Sequence, residues 1–539
     1  MAGKLQTSSI AAPGFYGLNL QESSITLASG FALKAQNCVI DRYGRIGARR
    51  GWTPLNATNA DLGSNPIESM MEVVDGGDNT IISAGNNKLF TGRATLTQKL
   101  VRNATNSGNA TYTISANNWQ MVAMPYGDVN DFQPHAYLAQ AGHPMLVWHE
   151  LPVSGGSGHA HDSGTFGFQQ VGDIGTLPAN HTTASFKPNA AFSGFGRIWV
   201  GNIVGDTQTV YFSDLLRGSD FTTGSAGYLN LQEVFPNGDN IVAIAGHNGF
   251  LVIFGRNHTA IYENPIDTGS LRLVECIYNV GCIARDSVQN IGTDLLFLSD
   301  AGVRSLARVI QEKSLPMNDI SKNVRDDLMG NVASEADLGK IKSVYHERDA
   351  IYLLSLPTTK FVYCFDTRSR LQDGSARVTI WDNLEPKSFC ITQAKELLIG
   401  KPSYIAKYFG HSDNGSSYRL QYYTNYFDFD ASTKLKILKK IGWVLIGGTN
   451  QAVAVKWGFD YTESYNATTY TLDTAVVYEY GIGEYNIAEY SSGIVLDRFS
   501  INAGGAGTIM QLGLEADING NPMSIQKIDV AVKAGKTLV

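Results

Sequence analysis

Seven times along the chain, an apolar strand-like segment runs into a polar turn and is followed by a second apolar or aromatic segment. The spacing of these pairs, roughly 45 to 60 residues, is typical of β-propellers in which each pair belongs to one blade. A composition with 56 glycines also suits a β-rich chain with many tight turns. We therefore predict an all-β fold containing a β-propeller. The seven pairs are Thr80–Ser83 with Lys88–Thr91, Ala136–Ala139 with Met145–Trp148, Arg197–Val200 with Thr209–Phe212, Phe250–Phe254 with Ala260–Tyr262, Leu295–Leu298 with Val303–Leu306, Ala350–Leu356 with Phe361–Phe365, and Glu396–Ile399 with Ile405–Phe409.

The same pattern divides the chain into three predicted parts. Residues 1–65 form an N-terminal leader that contains a β-hairpin, and residues 66–415 form the propeller. Polar or Gly/Ser-rich stretches near 95–117 and 150–187 indicate insertions into the propeller. Alternating aromatic and polar residues begin near residue 416, and a continuous apolar run follows them. Residues 416–539 are therefore predicted to be a separate β-sandwich-like domain.

Two local elements within these parts are predicted in more detail. Ala35–Ile40 and Arg45–Arg50 read as the arms of the leader hairpin, with Gly44 in its turn. Ser321–Leu328 carries alternating charge and is predicted to be helical. Glu335–Lys342 is expected to continue this helix after a break at Gly330.

Composition and charge narrow the classes of function. The formal net charge is −7, whereas a dedicated DNA-binding protein usually carries a basic excess. The five cysteines are widely spaced and form no CxxC pair, which favours buried, reduced thiols and assembly in a reducing cytoplasm. No apolar run reaches the ~20 residues needed to span a bilayer, so we expect no stable membrane insertion.

The sequence contains few arrangements that suggest chemistry. His159-Ala160-His161-Asp162 could hold a metal, but it lies in a Gly/Ser-rich stretch without rigid support, so we predict no metal there. Asp428 and Asp430 lie two residues apart on a predicted strand. Glycoside cleavage needs two opposed carboxylates, and nothing places a second strand's acid opposite these two. We therefore expect no catalytic residues, no cofactor and no enzymatic activity.

Several stretches, in this order, resemble the tail nozzle proteins of short-tailed bacteriophages, a family also called tail tubular protein B. The leader stretches are Gly17-Leu18-Asn19-Leu20, Ser29-Gly30-Phe31-Ala32, Gln36-Asn37-Cys38-Val39, Gly44-Arg45-Ile46 and Arg49-Arg50-Gly51-Trp52. The blade stretches are Phe195-Gly196-Arg197-Ile198-Trp199-Val200-Gly201, Val210-Tyr211-Phe212-Ser213-Asp214, Asp220-Phe221, Gly249-Phe250-Leu251-Val252-Ile253-Phe254-Gly255, Ile261-Tyr262-Glu263, Val280-Gly281-Cys282-Ile283-Ala284 and Leu296-Phe297-Leu298-Ser299-Asp300-Ala301-Gly302-Val303. The resemblance covers roughly the first 310 residues.

The resemblance implies a structural protein of the virion tail. Family members form a hexameric ring below the portal and adaptor rings, and double-stranded DNA passes through the shared lumen without sequence-specific binding. The implied partners are other copies of this chain, the tail adaptor protein, and a tail fibre or spike. The net charge fits such a conduit, because an acidic wall repels phosphate and lets DNA slide.

The leader hairpin and the C-terminal domain are the parts expected to form the ring and to face the adaptor. Within the leader, Arg45, Arg49 and Arg50 form the densest basic point, and together with Asn37 and Trp52 they are the candidate assembly contacts. Arginine offers a planar fork for a phosphate or for a carboxylate of a neighbouring subunit. A solvated hairpin arm is the alternative. The sequence does not identify residues that line the lumen or form a gate.

Other classes of protein stay open. A receptor-binding tail protein would expose loops that bind cell-wall sugar. A propeller-type polysaccharide hydrolase would need carboxylates that converge at the mouth of the propeller. A cellular binding propeller would not form a ring.

Overall fold

The coordinates are a computed structural model, and they describe most of the chain. The described residues are 5–74, 79–103, 111–124, 133–149, 165–312, 319–431, 433–448, 450–462, 464–472 and 494–537. They form a propeller and a β-sandwich, which confirms the predicted all-β class.

Within the described residues, the propeller has seven blades, each an antiparallel sheet of three or four strands. The blades consist of Ser69–Val73, Thr80–Gly85, Lys88–Thr91 and Thr97–Arg102 (blade 1); Gln120–Met124, His135–Gln140, His143–His149 and Phe166–Gln170 (blade 2); Pro188–Gly194, Arg197–Ile203, Asp206–Phe212 and Gly227–Asn230 (blade 3); Ile241–His247, Phe250–Gly255, His258–Glu263 and Arg272–Tyr278 (blade 4); Gln289–Asn290, Leu295–Ser299 and Gly302–Ser305 (blade 5); Lys342–His346, Ile351–Leu356, Phe361–Arg370 and Ala376–Trp381 (blade 6); and Ser388–Ile391, Leu397–Lys401, Tyr404–Tyr408 and Trp52–Pro54 (blade 7). Each predicted strand pair corresponds to the second and third strands of one blade.

The seven blades close into a ring in two ways: neighbouring blades pack against each other at their first strands, and the N-terminal part of the chain supplies the last strand of blade 7. The first strand of each blade contacts the first strand of the next, including that of blade 7 with that of blade 1. Between blades 4 and 5 the contact is made instead by the 3₁₀ turn Arg285–Ser287, which precedes blade 5. The outermost strand of blade 7 comes from the other end of the chain, because Trp52–Pro54 pairs antiparallel with Tyr404–Tyr408. The ammonium of Lys401 lies 4.9 Å from the centre of the Trp52 ring and adds a cation–π contact to this closure.

The sandwich consists of two sheets with a common apolar core. The first sheet contains Leu5–Ala11, Cys38–Ile40, Ile46–Ala48, Lys434–Gly448, Ile494–Asn502, Ala506–Gly507 and Ser524–Thr537. The second contains Gly17–Leu18, Phe31–Gln36, Tyr418–Thr424, Ala452–Phe459, Asn466–Thr471 and Met510–Ile518. Alternate residues of both sheets, such as Trp443 and Leu445 on one and Leu512 and Leu514 on the other, are buried in the same core cluster.

The segment predicted as a separate leader, 1–65, is divided between the two other units. Its first strand pairs along its whole length with Ser524–Thr537, and Phe31–Gln36 pairs with Tyr418–Thr424. Gly17–Leu18 also continues the sheet of blade 6 in parallel with Val378. The physical reason is that isolated strands leave backbone groups unpaired, so the early strands complete sheets begun by the end of the chain.

The predicted insertions are partly regular structure. Thr97–Arg102, within the stretch 95–117, is the outer strand of blade 1, and Thr111–Tyr112 pairs with it. Phe166–Gln170, within 150–187, is the outer strand of blade 2, and a helical turn at Val171–Ile174 follows it. Residues 104–110 and 150–164 lie outside the described residues.

The predicted helix is present, but Gly330 does not break it. A 3₁₀ turn at Lys322–Val324 leads into the α-helix Arg325–Ala333, which contains Gly330. Glycine inside a helix costs only about 1 kcal/mol relative to alanine, and burial of Leu328 and Val332 offsets that cost. The predicted continuation contains only a further 3₁₀ turn at Leu338–Lys340. The remaining helical elements are the α-helix Leu306–Glu312 and the 3₁₀ turns Pro236–Gly238, Thr268–Ser270 and Arg285–Ser287.

Candidate functional site

Two of the candidate assembly contacts, Asn37 and Arg49, lie together in the interior of the chain. Arg49 is 0% exposed. Its guanidinium pairs with the Asp413 carboxylate at 2.7 Å, donates from Nε to Asn37 Oδ1 at 3.0 Å, and lies 4.0 Å from the centre of the Tyr418 ring. Bidentate pairing of this kind holds the two side chains in one fixed geometry.

Asn37 connects the same point to blade 6 and the sandwich. Its backbone is left-handed, with φ of 55°, a conformation that asparagine tolerates. Its Nδ2 donates to Asp382 Oδ1 at 2.5 Å and to the Arg419 carbonyl at 2.8 Å. The expectation that Asn37 and Arg49 contact another subunit is corrected here, because both are buried where the leader hairpin meets the propeller and the sandwich.

The other three candidates are partly exposed, and their assembly role stays a prediction. Arg45 pairs with Asp41 at 2.5 Å and lies 4.4 Å from the centre of the Tyr43 ring at the tip of the hairpin. Arg50 is 3.4 Å from the Asp349 carboxylate of the loop before the second strand of blade 6. Trp52 is the blade 7 residue already described. The three side chains therefore have different partners, although Arg50 and Trp52 both lie beside Tyr408, whose hydroxyl accepts from the Arg50 amide.

A buried charged cluster, which the sequence analysis missed, lies among the inner strands of the propeller. Asp286 pairs with Arg285 at 2.8 Å and with Lys342 at 2.5 Å. Burial alone would raise the pKa of Asp286, but the Arg285 guanidinium and the Lys342 ammonium hold it at about 2. The sequence carries no clear signal for this cluster, because the strand that Lys342 begins also contains the polar residues Ser343 and His346.

We call Arg285, Asp286 and Lys342 the axial cluster. Its hydrogen bonds link four blades. Lys342 Nζ also donates to the Asn118 side chain of the segment that leads into blade 2. Arg285 Nη1 donates to Asn189 on the first strand of blade 3, at 2.9 Å to its carbonyl and 3.1 Å to Oδ1. Groups from blades 5 and 6 are thereby fixed to blades 2 and 3 across the ring.

A cavity of about 490 Å³ lies against this cluster, at the end of the propeller where the first strands of blades 1, 2, 3 and 6 begin. Its walls are formed by polar loop residues, among them several amides. The lining residues are Glu68, Asn87, Ser115, Ala116, Asn117, Asn118, Gln140, Ala141, Asn189, Asp337, Gly339 and Lys340.

The outer edges of the blades differ in how they are covered. The outer strands of blades 1 and 2 pair with each other in parallel, and that of blade 6 pairs with the leader. In blade 5 the helix Leu306–Glu312 follows the third strand, and the edge of blade 7 is the short strand ending in Pro54. In the described part of the chain, only blades 3 and 4 leave longer outer strands without any further partner.

These two open edges carry exposed apolar side chains. Tyr228 on blade 3 is 66% exposed, and Val274 and Tyr278 on blade 4 are 49% and 58% exposed. Leu273 and Ile266 beside them are exposed as well. Soluble proteins usually protect such edges with charged side chains, proline or short strands. The blade 4 edge has such a charge at its first residue, Arg272, whose side chain is 74% exposed, but the apolar side chains follow it directly. We call this surface the blade 3–4 rim.

The remaining sequence-level candidates provide no reactive centre. Asp428 and Asp430 belong to one turn, where Asp428 Oδ1 accepts from the Asp430 amide at 3.0 Å, and not to a strand as predicted. His159–Asp162 lies outside the described residues. The positions that the structure describes include no cluster of three or more His, Cys, Asp or Glu suited to a metal ion. Four of the five cysteines are buried, as predicted.

None of the helices with described positions has the length and apolar character required to cross a membrane.

Comparisons with known proteins show only general likeness. No protein-family model matches the chain, and no curated protein matches it. Among solved structures, the Neurospora crassa Pan2 WD40 domain is similar at 10% identity with a TM-score of 0.34, covering 67% of this chain and 96% of that one. The Toxoplasma gondii coronin WD40 domain is similar at 11% identity with a TM-score of 0.33, covering 76% of this chain and 86% of that one. At these scores the assignment of a propeller rests on the strand order and ring closure of this chain alone.

Proposed function

We propose that this chain is a structural subunit of the hexameric tail nozzle of a short-tailed bacteriophage, located in the virion tail and forming part of the conduit for the genome. The motif resemblance over roughly the first 310 residues motivates the proposal. The structural observation that supports the proposal is the blade 3–4 rim, because an unpaired edge with exposed apolar side chains is stabilised when another chain buries it. We assign that partner as the neighbouring copy of the same chain.

The axial cluster supports a conduit that runs between copies and not through each propeller. Arg285, Asp286 and Lys342 occupy the space among the inner strands with side chains bonded to one another. A DNA duplex could not pass there without breaking this buried network. Six propellers side by side around a common axis leave a wider channel, and the acidic net charge of each copy disfavours adhesion of DNA to its wall.

A closed ring requires two unlike patches on each subunit, since its interface is head to tail. The blade 3–4 rim supplies one of them. The exposed parts of the leader and the C-terminal sandwich are the other candidates, for the second patch and for the surface that meets the adaptor. Tail fibres or spikes would dock on neighbouring faces.

Polysaccharide hydrolysis, a competing function, has less support. It needs two carboxylates that converge on one bond. Asp428 and Asp430 share one turn, and Asp286 is held between two cations as a structural carboxylate. The cavity beside the axial cluster, whose wall is rich in amides, favours sugar binding more than cleavage.

The ring proposal predicts that a charge on the blade 3–4 rim prevents assembly. Val274→Lys places an ammonium group among the exposed apolar side chains of the blade 4 edge, where burial against a neighbour would cost several kcal/mol. We expect the wild-type chain at high concentration to sediment as a hexamer and Val274→Lys to sediment as single copies. Sedimentation velocity measures this directly.

Val74→Lys is the matched control, because Val74 on blade 1 is 40% exposed and lies outside the rim. We expect it to assemble like the wild type. Assembly of Val274→Lys to the same extent as Val74→Lys would refute the role of the rim, and a wild-type chain that stays monomeric at every concentration would count against the ring.

A further inference from the structure

The cavity beside the axial cluster has the chemistry of a ligand site that neither ring formation nor DNA passage uses. Its volume of about 490 Å³ lies within the range of small-molecule sites. We infer that this cavity binds a neutral saccharide, held by hydrogen bonds between its hydroxyl groups and the amide-rich wall. The inference does not depend on the proposed function, since a ring subunit and an isolated propeller would offer the same cavity.

The composition of the wall favours hydroxyl groups over charged or aromatic ligands. Asn87, Asn117, Asn118, Gln140 and Asn189 line it, and each primary amide places a donor beside an acceptor, as neighbouring sugar hydroxyls require. No lining residue is aromatic, so the wall offers no ring on which a nucleobase would stack.

The charges at the cavity balance. Glu68 and Asp337 on the wall and Asp286 behind it are acidic, whereas Lys340 on the wall and Lys342 and Arg285 behind it are basic. A site for phosphate or nucleic acid would show a basic excess directed at the ligand. Balanced charge together with many amides points to a neutral polar ligand.

The axial cluster fixes two of the amides in place. Asn118 Oδ1 accepts from Lys342 Nζ, and its Nδ2 donates to the Gly339 carbonyl at 2.6 Å. Asn189 Oδ1 accepts from Arg285 Nη1 at 3.1 Å and from the Ala141 amide at 3.3 Å, which leaves its Nδ2 as a donor for a ligand. Because these side chains are already ordered, a ligand would lose little affinity to ordering them.

Gln140 adds a further polar group without a protein partner to the wall of the cavity. It is only 7% exposed and lines the cavity, yet its Oε1 is buried without a hydrogen-bond partner. A buried acceptor that lacks a donor is destabilising, which is why such atoms are rare in folded proteins. A rotation of the Gln140 amide toward the cavity would let a ligand hydroxyl donate to Oε1 and supply the missing partner.

Binding of the full chain is first screened on an array of neutral oligosaccharides. The affinity for each oligosaccharide that binds is then measured by titration calorimetry. Inorganic phosphate and a short single-stranded DNA serve as probes of the charged alternatives. We expect saccharide binding by the wild type and at least a tenfold loss of affinity in both Gln140→Leu and Asn189→Ala. Gln232→Leu, in the exposed connection between blades 3 and 4, is the matched control and should bind like the wild type.

Each variant is first compared with the wild type by thermal unfolding. Two variants are used so that at least one keeps the wild-type fold, because Gln140→Leu removes no hydrogen bond of the folded chain. The inference is overturned if no neutral saccharide binds. It is also overturned if binding is unaffected by both substitutions, or if only phosphate or DNA binds. None of these outcomes bears on ring formation, which the rim variants test separately.

Discussion

Replacing Arg49 by methionine is expected to lower the free energy of unfolding by about 3–5 kcal/mol. Arg49 is fully buried, and its partner Asp413 is mostly buried. Removing the guanidinium leaves the Asp413 carboxylate without its cation and Asn37 Oδ1 without one of its donors. A buried charge that has lost its partner costs far more than the intact pair contributes.

The loss should be measured by urea unfolding followed by tryptophan fluorescence. Arg42→Met is the control, because Arg42 lies on the same hairpin and is exposed, and we expect it to change the free energy by less than about 0.5 kcal/mol. The double variant R49M/D413N should lose less than the sum of the single losses, since it removes both charges. If R49M were as stable as R42M, the hairpin would not be fixed to the rest of the chain by this pair.

Asp286→Asn is expected to lower the free energy of unfolding by a similar amount, about 3–5 kcal/mol at neutral pH. The substitution keeps the shape of the side chain but leaves Arg285 and Lys342 as two buried cations with no carboxylate between them. Because the cluster connects blades 2, 3, 5 and 6, its loss should destabilise the propeller as a whole. Asp300→Asn, at an exposed turn of blade 5, is the matched control.

The pH dependence provides a second test of the same cluster. The pKa of Asp286 falls from 3.8 to about 2 in the folded chain. A carboxyl group whose pKa is lowered on folding stabilises the fold above its unfolded pKa, and this stabilisation is lost as the pH falls toward the folded pKa. The difference in the free energy of unfolding between the wild type and Asp286→Asn should therefore be largest above about pH 5. It should shrink as the pH falls from about 5 to about 2. A difference that is constant over this range would show that Asp286 is not held as a carboxylate.

The central strands of the blades could be predicted from the sequence because they are buried on both faces. Leu295–Ser299 and Ile351–Leu356, for example, are buried at every position, which gives continuous apolar runs. The outer strands are harder to predict from the sequence. Thr97–Arg102 is partly exposed and mostly polar, so its sequence resembles that of a loop. Only its pairing with the third strand of blade 1 identifies it as a strand.

Contacts between distant parts of the chain could not be read from local patterns. The closure of blade 7 by Trp52–Pro54 joins residues more than 300 positions apart, and no turn or periodicity marks it. Arg49 was taken as a surface charge because arginines usually are, whereas its burial depends on Asp413 and Tyr418 much later in the chain. The amide cavity was missed for the same reason, since its wall is assembled from loops of several blades.

The proposed side-by-side ring of copies of this chain can be seen by electron cryomicroscopy of the assembled protein. We expect a hexameric ring with an open axial bore, in which the blade 3–4 rim of each copy is buried against its neighbour and each propeller axis is closed. Images of separate copies, or of a ring in which the rim faces solvent, would contradict it.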